Sequence, residues 1–151
     1  MLNFIHDGNT DAAASLIENF RPSMKIIKSI RVPVFEFNKI ATSLDLEAIS
    51  IIKIDVEGAE LEVLRSLCDT ITFHKPIILL EILPIYNATN TLRISRQEKT
   101  EELISDLNYS LFKIIKNNDD SYCGLEQIKA IGIHSDISKC DYVLMPNEMS
   151  Y

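Results

Sequence analysis

Apolar positions along the chain fall into short, nearly continuous runs that alternate with segments of helical spacing. The two strongest runs are SIIKIDV (50–56) and PIILLEIL (76–83), whose apolar side chains are typical of strands buried on both faces. Leu61, Leu64 and Leu67 follow the first run at helical spacing, up to Cys68. Strands that alternate with helices predict an α/β sheet that is parallel at least in its middle.

Weaker patterns predict five further elements. They are extended structure at 24–37, a short helix at 38–44, a polar helix at 95–108, and strands at 110–115 and 140–145. Pro33 favours an edge or a bend in the first of them. The stretch between the last two strands contains NNDD and two glycines, and it predicts mostly loop. No internal repeat or linker interrupts this order, so residues 1–151 predict a single domain.

The polar helix at 95–108 has both a start signal and an apolar stripe. Ser95 followed by Glu98 fits a capping box, in which the two side chains satisfy free backbone N–H groups at the helix start. Leu103, Ile104 and Leu107 supply the apolar stripe. We therefore expect this helix to begin at Ser95.

Composition narrows the class of protein. The chain has 151 residues, of which 46% are apolar and 25% charged, and this suits a packed domain rather than a disordered one. A net charge of −7 without a Lys/Arg cluster argues against a nucleic-acid partner. The apolar runs are too short to span a bilayer, and the N-terminus does not resemble a secretory signal. Cys68, Cys123 and Cys140 are widely spaced, which predicts reduced thiols and a cytoplasmic location.

Three carboxylates surround a glycine where the first buried run ends. Asp55, Glu57 and Glu60 lie close together in sequence with Gly58 among them, and ligands of open α/β sheets bind beyond such strand ends. Close carboxylates repel one another by up to roughly 4 kcal/mol per pair at an effective dielectric of about 20. A helix N-terminus, Lys53, a divalent metal or a cationic cofactor would relieve that repulsion. The alternative is structural: Glu57 and Glu60 complement the helix dipole, and Asp55 caps the turn.

The segment KIDVEGAELEVLRSL, followed by KPIILLEI, resembles the signature of the FkbM family of S-adenosylmethionine-dependent methyltransferases. In that family a strand ending in KIDVEGxE leads into a helix, and the next strand ends in a glutamate after a proline. VPVFEFNKIA and CDYVLMPNE also resemble family segments, so the similarity covers about residues 32–148. The resemblance implies a Rossmann-like class I methyltransferase fold that methylates a hydroxyl of a sugar, lipid or small metabolite.

The resemblance also implies the catalytic residues. Asp55 and Glu57 match the acidic pair that faces the methyl group and the acceptor, and Asp55 would orient or deprotonate the acceptor hydroxyl. Glu81 matches the glutamate that ends the next strand and would line the acceptor side. Because a short helix joins the two apolar runs, we expect them to form adjacent parallel strands whose carboxyl ends are level, with Asp55, Glu57 and Glu81 in one cleft. The acceptor itself is expected to be a small molecule or a glycan.

The cofactor contacts implied by the resemblance come from four residues. Asp55 and Gly58 would lie at the turn beside S-adenosylmethionine, and Glu60 would lie in the first helical turn. Asn38 falls where the family has an aspartate near the adenine; the amide can still form hydrogen bonds but carries no charge. His6, His74 and His134 fall in predicted loops without metal-ligand spacing, so no metal site is expected.

The glycine-rich loop that ends the first strand of this fold has no counterpart here. The glycines are Gly8, Gly58, Gly124 and Gly132, and none of them forms GxG. The first two strands and the first helix are therefore predicted to be missing, which would leave SIIKIDV with an open edge. Either RVPVFEF pairs directly with SIIKIDV, or another chain covers the edge, or the chain is a truncated gene product.

The missing loop sets two expectations for function. The chain alone should bind S-adenosylmethionine weakly or not at all, because the loop supplies backbone contacts to the cofactor. A second chain, either another copy or a complementary N-terminal half, is then an expected partner. The alternative function is a non-catalytic remnant that acts as a dimerising or partner-binding module.

Overall fold

The computed structural model describes residues 2–6, 15–18, 20, 28–41, 43–44 and 46–149, which form two sheets and four α-helices. The elements in chain order are β1 (Leu2–His6), β2 (Lys28–Val32), α1 (Phe37–Ala41), β3 (Ile51–Ile54), α2 (Glu60–Ser66), α3 (Cys68–His74), β4 (Ile77–Glu81), α4 (Thr91–Asp106), β5 (Tyr109–Lys116), β6 (Tyr122–Ile128), a short 3₁₀ helix (Ile137–Lys139) and β7 (Asp141–Pro146). The predicted mixed α/β class is confirmed, and the arrangement is consistent with a Rossmann-like methyltransferase fold.

The larger sheet has the strand order β3-β4-β7-β5-β6. β3 and β4 are adjacent and parallel, with Ile51 opposite Ile77 and Ile54 opposite Leu80, so the predicted pairing of the two most apolar runs is confirmed. The prediction that both strands are buried on both faces is wrong, because Ile51 is 63% exposed and Leu79 is 37% exposed. The prediction that the sheet is parallel in its middle is wrong. The central strand β7 is antiparallel to both β4 and β5, and the parallel pair lies at one edge.

The core lies between the sheet and the helices that connect its strands. Leu61, Leu64 and Leu67 are at most 7% exposed, which confirms the apolar stripe read from their spacing. Ile104 on α4 is also buried, and Leu103 and Leu107 pack against the same core. Each fully buried aliphatic side chain stabilises the fold by about 1.5–3 kcal/mol relative to an exposed one, so α2 and α4 are held mainly by this burial.

The start of α4 differs from the prediction. The helix begins at Thr91, and the Asn90 side chain caps it by accepting a hydrogen bond from the Arg93 N–H at 3.2 Å. The predicted capping box at Ser95 and Glu98 is therefore wrong. Asn90 is a favoured cap residue, and by capping first it leaves Ser95 inside the helix.

The region between β5 and β7 also differs, because it contains the strand β6 where loop was predicted. β6 forms a hairpin with β5, and Asn117 N–H donates to the Ser121 carbonyl across the turn. It is the outer strand of the sheet, and most of its side chains are exposed. A strand with little buried surface needs no apolar run, so the hydrophobic pattern gave no sign of it.

The N-terminal segments form a separate two-stranded sheet. β2 pairs antiparallel with β1, with Leu2 opposite Val32, so the direct pairing of RVPVFEF with SIIKIDV is wrong within the described residues. Gly8 and residues 24–27 lie outside the described residues. The short helix predicted at 38–44 is present as α1, one residue earlier and shorter.

Two of the histidines lie in regular elements rather than in the predicted loops. His6 ends β1 and His74 ends α3, whereas His134 lies outside any helix or strand. Helical structure continues past Cys68 as α3, so two helices rather than one connect β3 to β4. No helix in the described parts of the chain is long and apolar enough to cross a lipid bilayer.

Candidate functional site

Asp55 and Glu81 meet at the carboxyl ends of β3 and β4. Ile54 lies opposite Leu80 in the parallel register, so the next residue on each strand is at the same level of the sheet. The Glu81 carboxyl group, when protonated, donates a hydrogen bond to the Asp55 carboxylate. The placement of both residues at one end of the sheet, predicted from the sequence, is confirmed. We call these two residues the acidic pair.

The pKa values of the two carboxyl groups in the acidic pair are shifted in opposite directions. Lys53 Nζ lies 2.9 Å from Asp55 Oδ2, and this hydrogen bond holds the pKa of Asp55 below its ordinary value. Burial, together with the charge of Asp55 and the hydrogen bond to it, raises the pKa of Glu81 to about 7. One carboxylate is therefore ionised near neutral pH, and the pair as a whole gains or loses one proton there.

Glu81 should make stability depend on pH. Its pKa is about 7 in the folded protein against 4.5 for the unperturbed group, so its contribution is complete below pH 4.5 and is lost as the pH rises through 7. Over this interval, we expect the free energy of unfolding to fall by on the order of 2 kcal/mol more in the unmodified protein than in a Glu81→Gln variant. Denaturant unfolding at a series of pH values measures the difference. The exposed Glu102→Gln is the matched control, and equal pH slopes for Glu81→Gln and the unmodified protein would contradict the assignment.

Gly58 lies in the turn that follows Asp55, and both its backbone N–H and its carbonyl form hydrogen bonds within the protein. Its N–H donates to Glu60 Oε1 at 2.8 Å, and its carbonyl accepts from Arg96 Nε at 3.2 Å and Nη2 at 2.8 Å. Its φ is +101°, and a Cβ at this position would lie 2.6 Å from the Phe20 ring. A glycine is therefore required by both the backbone conformation and the contact with Phe20.

The remaining acidic residues have different surroundings. Glu60 is 7% exposed, and burial raises its pKa while the Gly58 N–H stabilises its charged form. This supports the structural role that the sequence left open for Glu60. Glu57 is close enough for its charge to raise the pKa of both Glu60 and Glu81, and its carbonyl accepts a hydrogen bond from Ser15 Oγ at 2.6 Å. Glu57 therefore belongs to the same cluster as the acidic pair.

Three residues near the turn were not identified from the sequence: Phe20, Arg93 and Arg96. Arg93 is 5% exposed, its guanidinium carbon lies 4.1 Å from the centre of the Phe20 ring, and its Nε donates to the Phe20 carbonyl at 2.9 Å. Arg96 holds Gly58 and also forms an ion pair with Glu62. The one available signal was the spacing of Arg93 and Arg96, which places them on the same face of α4.

Gly58→Ala should destabilise the fold by about 2 kcal/mol or more. The alanine must adopt a positive φ, and its Cβ must overlap the Phe20 ring. Each of these is a recognised cause of large destabilisation. Gly132→Ala is the first control, since it has a positive φ of +76° but no atom within 4 Å, and Gly124→Ala has neither feature. Chemical denaturation should rank the losses Gly58, Gly132, Gly124. Equal losses for Gly58→Ala and Gly132→Ala would show that the Phe20 contact has no energetic effect.

Asn38 forms its side-chain hydrogen bonds with α3. Its side-chain amide donates to Asp69 Oδ2 at 2.9 Å, and its carbonyl oxygen accepts from Thr70 Oγ1 at 3.1 Å. Neither partner is among the residues predicted to contact the cofactor, and the contact predicted for Asn38 near the adenine stays a prediction.

The arrangement as a whole is a partly exposed acidic pair beside a hydrogen-bonded turn. Within the described residues, no group of three or more His, Cys, Asp or Glu side chains is arranged to hold a metal ion. Asp55 is 38% exposed, so its carboxylate can reach a bound molecule, whereas Glu60 cannot. Chemically, the pair can attract a positive charge and accept a proton near neutral pH.

Comparison with known protein families identifies a match. A family model described as the methyltransferase FkbM domain matches residues 2–114, which is well over half of the chain. The matched region includes the acidic pair, Gly58 and nearly all of β5. No curated protein and no solved structure matches the chain.

Proposed function

The chain belongs to the FkbM methyltransferase family, and we propose that it methylates a hydroxyl group of a sugar, lipid or small metabolite with S-adenosylmethionine as the methyl donor. Family membership supports methyl transfer in general. The observation that carries the finer proposal is the acidic pair, which places an ionised carboxylate and a carboxyl group of pKa about 7 together at the end of the parallel strands. Ligands of open α/β sheets bind at this end of the strands.

The acidic pair provides the proton acceptor that methylation of a hydroxyl needs. As the oxygen of the acceptor gains a methyl group, its O–H bond breaks and the proton must leave. Asp55 is the more exposed carboxylate, so in this proposal it orients the hydroxyl and receives the proton, and Glu81 shares that proton through the hydrogen bond between the two side chains. An apparent pKa near 7 suits a base that works near neutral pH.

In this proposal fewer residues contact S-adenosylmethionine than the sequence predicted. When bound, this cofactor supplies a methyl group on a positively charged sulfur, and the ionised Asp55 fits that charge. Gly58 and Glu60 bind each other, and the Phe20 ring fills the space beside Gly58. In this proposal Asp55 and Glu57 therefore face the cofactor, and Gly58 and Glu60 support the turn beneath them.

A second candidate function, a partner-binding module, is favoured by the open edge of the sheet. Among the described residues β3 pairs only with β4, and Ile51 on this strand is 63% exposed. Open apolar edges attract further strands, so a covering chain is the simplest explanation. The proposed partner is a complementary chain that carries a glycine-rich loop, or else a second copy of this chain. A cytoplasmic location is part of the same proposal, since Cys68, Cys123 and Cys140 are free thiols.

The proposed function is tested by assaying transfer of a labelled methyl group. The enzyme assayed is this chain together with a chain that carries the glycine-rich loop, which we call the reconstituted enzyme. Transfer to the oxygen of a sugar, lipid or small hydroxyl compound supports the proposal. Stable assembly of the two chains without transfer to any acceptor would favour the partner-binding module.

A further inference from the structure

A cavity of about 290 Å³ lies at the end of β5, and the proposed function does not use it. This volume is close to the lower end of the range for small-molecule sites, about 300–1,000 Å³. Its charged and amide side chains come from β5, from the turn after it and from the 3₁₀ helix before β7: Lys113, Lys116, Asn117, Asn118, Asp120 and Lys139. We call it the lysine cavity.

The lysine cavity lies at the same edge of the sheet as the acidic pair. β4 and β5 are both antiparallel to β7, so they run in the same direction and end at the same edge. Asp141 at the start of β7 connects the two places, since it lies opposite Glu81 in the register and forms an ion pair with Lys116. β5 is two strands from β4, so at about 4.8 Å per strand the backbones of these two strands are about 10 Å apart along this edge.

One lysine of the lysine cavity is available to an anion. Three lysines and the carboxylate of Asp120 contribute to the lining, and Glu126 lies opposite Lys113 in the register of β5 and β6. Lys116 and Lys139 already form ion pairs with Asp141 and Asp136. Lys113 has no ion pair among the described residues. Its ammonium group is therefore available for a bound anion, which would place a charge-assisted hydrogen bond there.

We propose that the lysine cavity binds the anionic group, a carboxylate or a phosphate monoester, of the acceptor. The acceptor would then reach across the end of the sheet, with its reactive hydroxyl at the acidic pair and its anionic group two strands away at β5. The proposal that the cavity binds an anion does not depend on the proposed function. The proposal that this anion belongs to the acceptor rests on the proposed function.

The test is an NMR titration of the 151-residue chain with inorganic phosphate, a neutral hexose, its 6-phosphate and the corresponding uronic acid. We expect the anionic probes, but not the neutral hexose, to shift the backbone amides of Asn117 and Lys139. Lys113→Met should weaken binding about tenfold, the scale of one hydrogen bond to a charged group, while Lys113→Arg retains most of it. Comparing the 6-phosphate with the uronic acid shows which anion the cavity prefers.

Lys129→Met is the matched control, because it removes the same charge from an exposed lysine just beyond the other end of the β5–β6 hairpin. Lys139→Met is a second cavity variant, and thermal melting confirms that each variant is folded. Equal weakening by Lys129→Met, equal binding of the neutral hexose, or no shifts with any anion would each overturn the proposal. Anion binding by the chain, together with no methyl transfer by the reconstituted enzyme, would refute the proposed function alone. Methyl transfer by the reconstituted enzyme without anion binding would refute the lysine cavity alone.

Discussion

Asp55→Asn in the reconstituted enzyme should lower the turnover of methyl transfer by a factor of about 100 or more, the scale expected when a general base is lost. The substitution keeps the size of the side chain but removes the charge that receives the hydroxyl proton. It also removes the main charge acting on Glu81, so the pKa of Glu81 should fall back toward its ordinary value. Turnover under saturating substrate is the measurement, with the titration of Glu81 followed by NMR.

The control for Asp55→Asn is Asp106→Asn, an exposed aspartate at the end of α4. Thermal stability should change little in both variants, because Asp55 is 38% exposed and its ion pair with the exposed Lys53 contributes little. Unchanged turnover together with a large fall in melting temperature would support the capping role for Asp55 instead. A pH profile of turnover that keeps its inflection near 7 in Glu81→Gln would also count against the acidic pair as the base.

The 151-residue chain alone should bind S-adenosylmethionine only in the millimolar range, two to four orders of magnitude more weakly than an intact site. The sequence has no glycine-rich loop, and the structure adds that the N–H and carbonyl of Gly58 are bonded to Glu60 and Arg96. Losing several hydrogen bonds of roughly 1 kcal/mol each, some of them to charged groups, accounts for a change of this size. We accordingly expect no methyl transfer by the chain alone.

Titration calorimetry of the chain with S-adenosylmethionine measures this affinity directly. Phe20→Ala is an informative companion variant, because it opens the space beside Gly58 without changing a charge. If the Phe20 ring blocks a cofactor contact, this variant should bind more tightly than the unmodified chain. Micromolar binding by the unmodified chain would show that another segment replaces the missing loop.

The parts of the fold that depend on burial were predictable from the sequence. β4 and the apolar faces of α2 and α4 were identified because their side chains enter the core, and burial selects apolar residues at the matching period. β3 was identified by its apolar run, although only Ile54 of its four residues is buried. β6 was missed for the converse reason, since most of its residues are exposed. The start of α4 was misplaced because two cap signals competed, and the local turn at Asn90 forms the cap.

The sequence predicted which residues form the candidate site more fully than it predicted the role of each residue. The sequence placed Asp55 and Glu81 at one sheet end, because parallel strands end at the same edge. It could not assign their protonation states, because the pKa of Asp55 depends on Lys53 and the pKa of Glu81 depends on burial and on the charge of Asp55. Gly58 and Glu60 were predicted as cofactor contacts, yet they bind each other. Asn38 is held by α3 through contacts with residues more than thirty positions away in the chain.

The sequence by itself determined the α/β class, the pairing of the two apolar strands, the acidic pair and the family resemblance, because each of these depends on residues close together in the chain or on a local period. Only the tertiary structure decided that β7 lies antiparallel at the centre of the sheet, that Phe20 fills the space beside Gly58, and that Lys113 and Lys116 share an edge with Glu81. These features join residues far apart in sequence, and their geometry follows from strand order and packing, which no local pattern specifies.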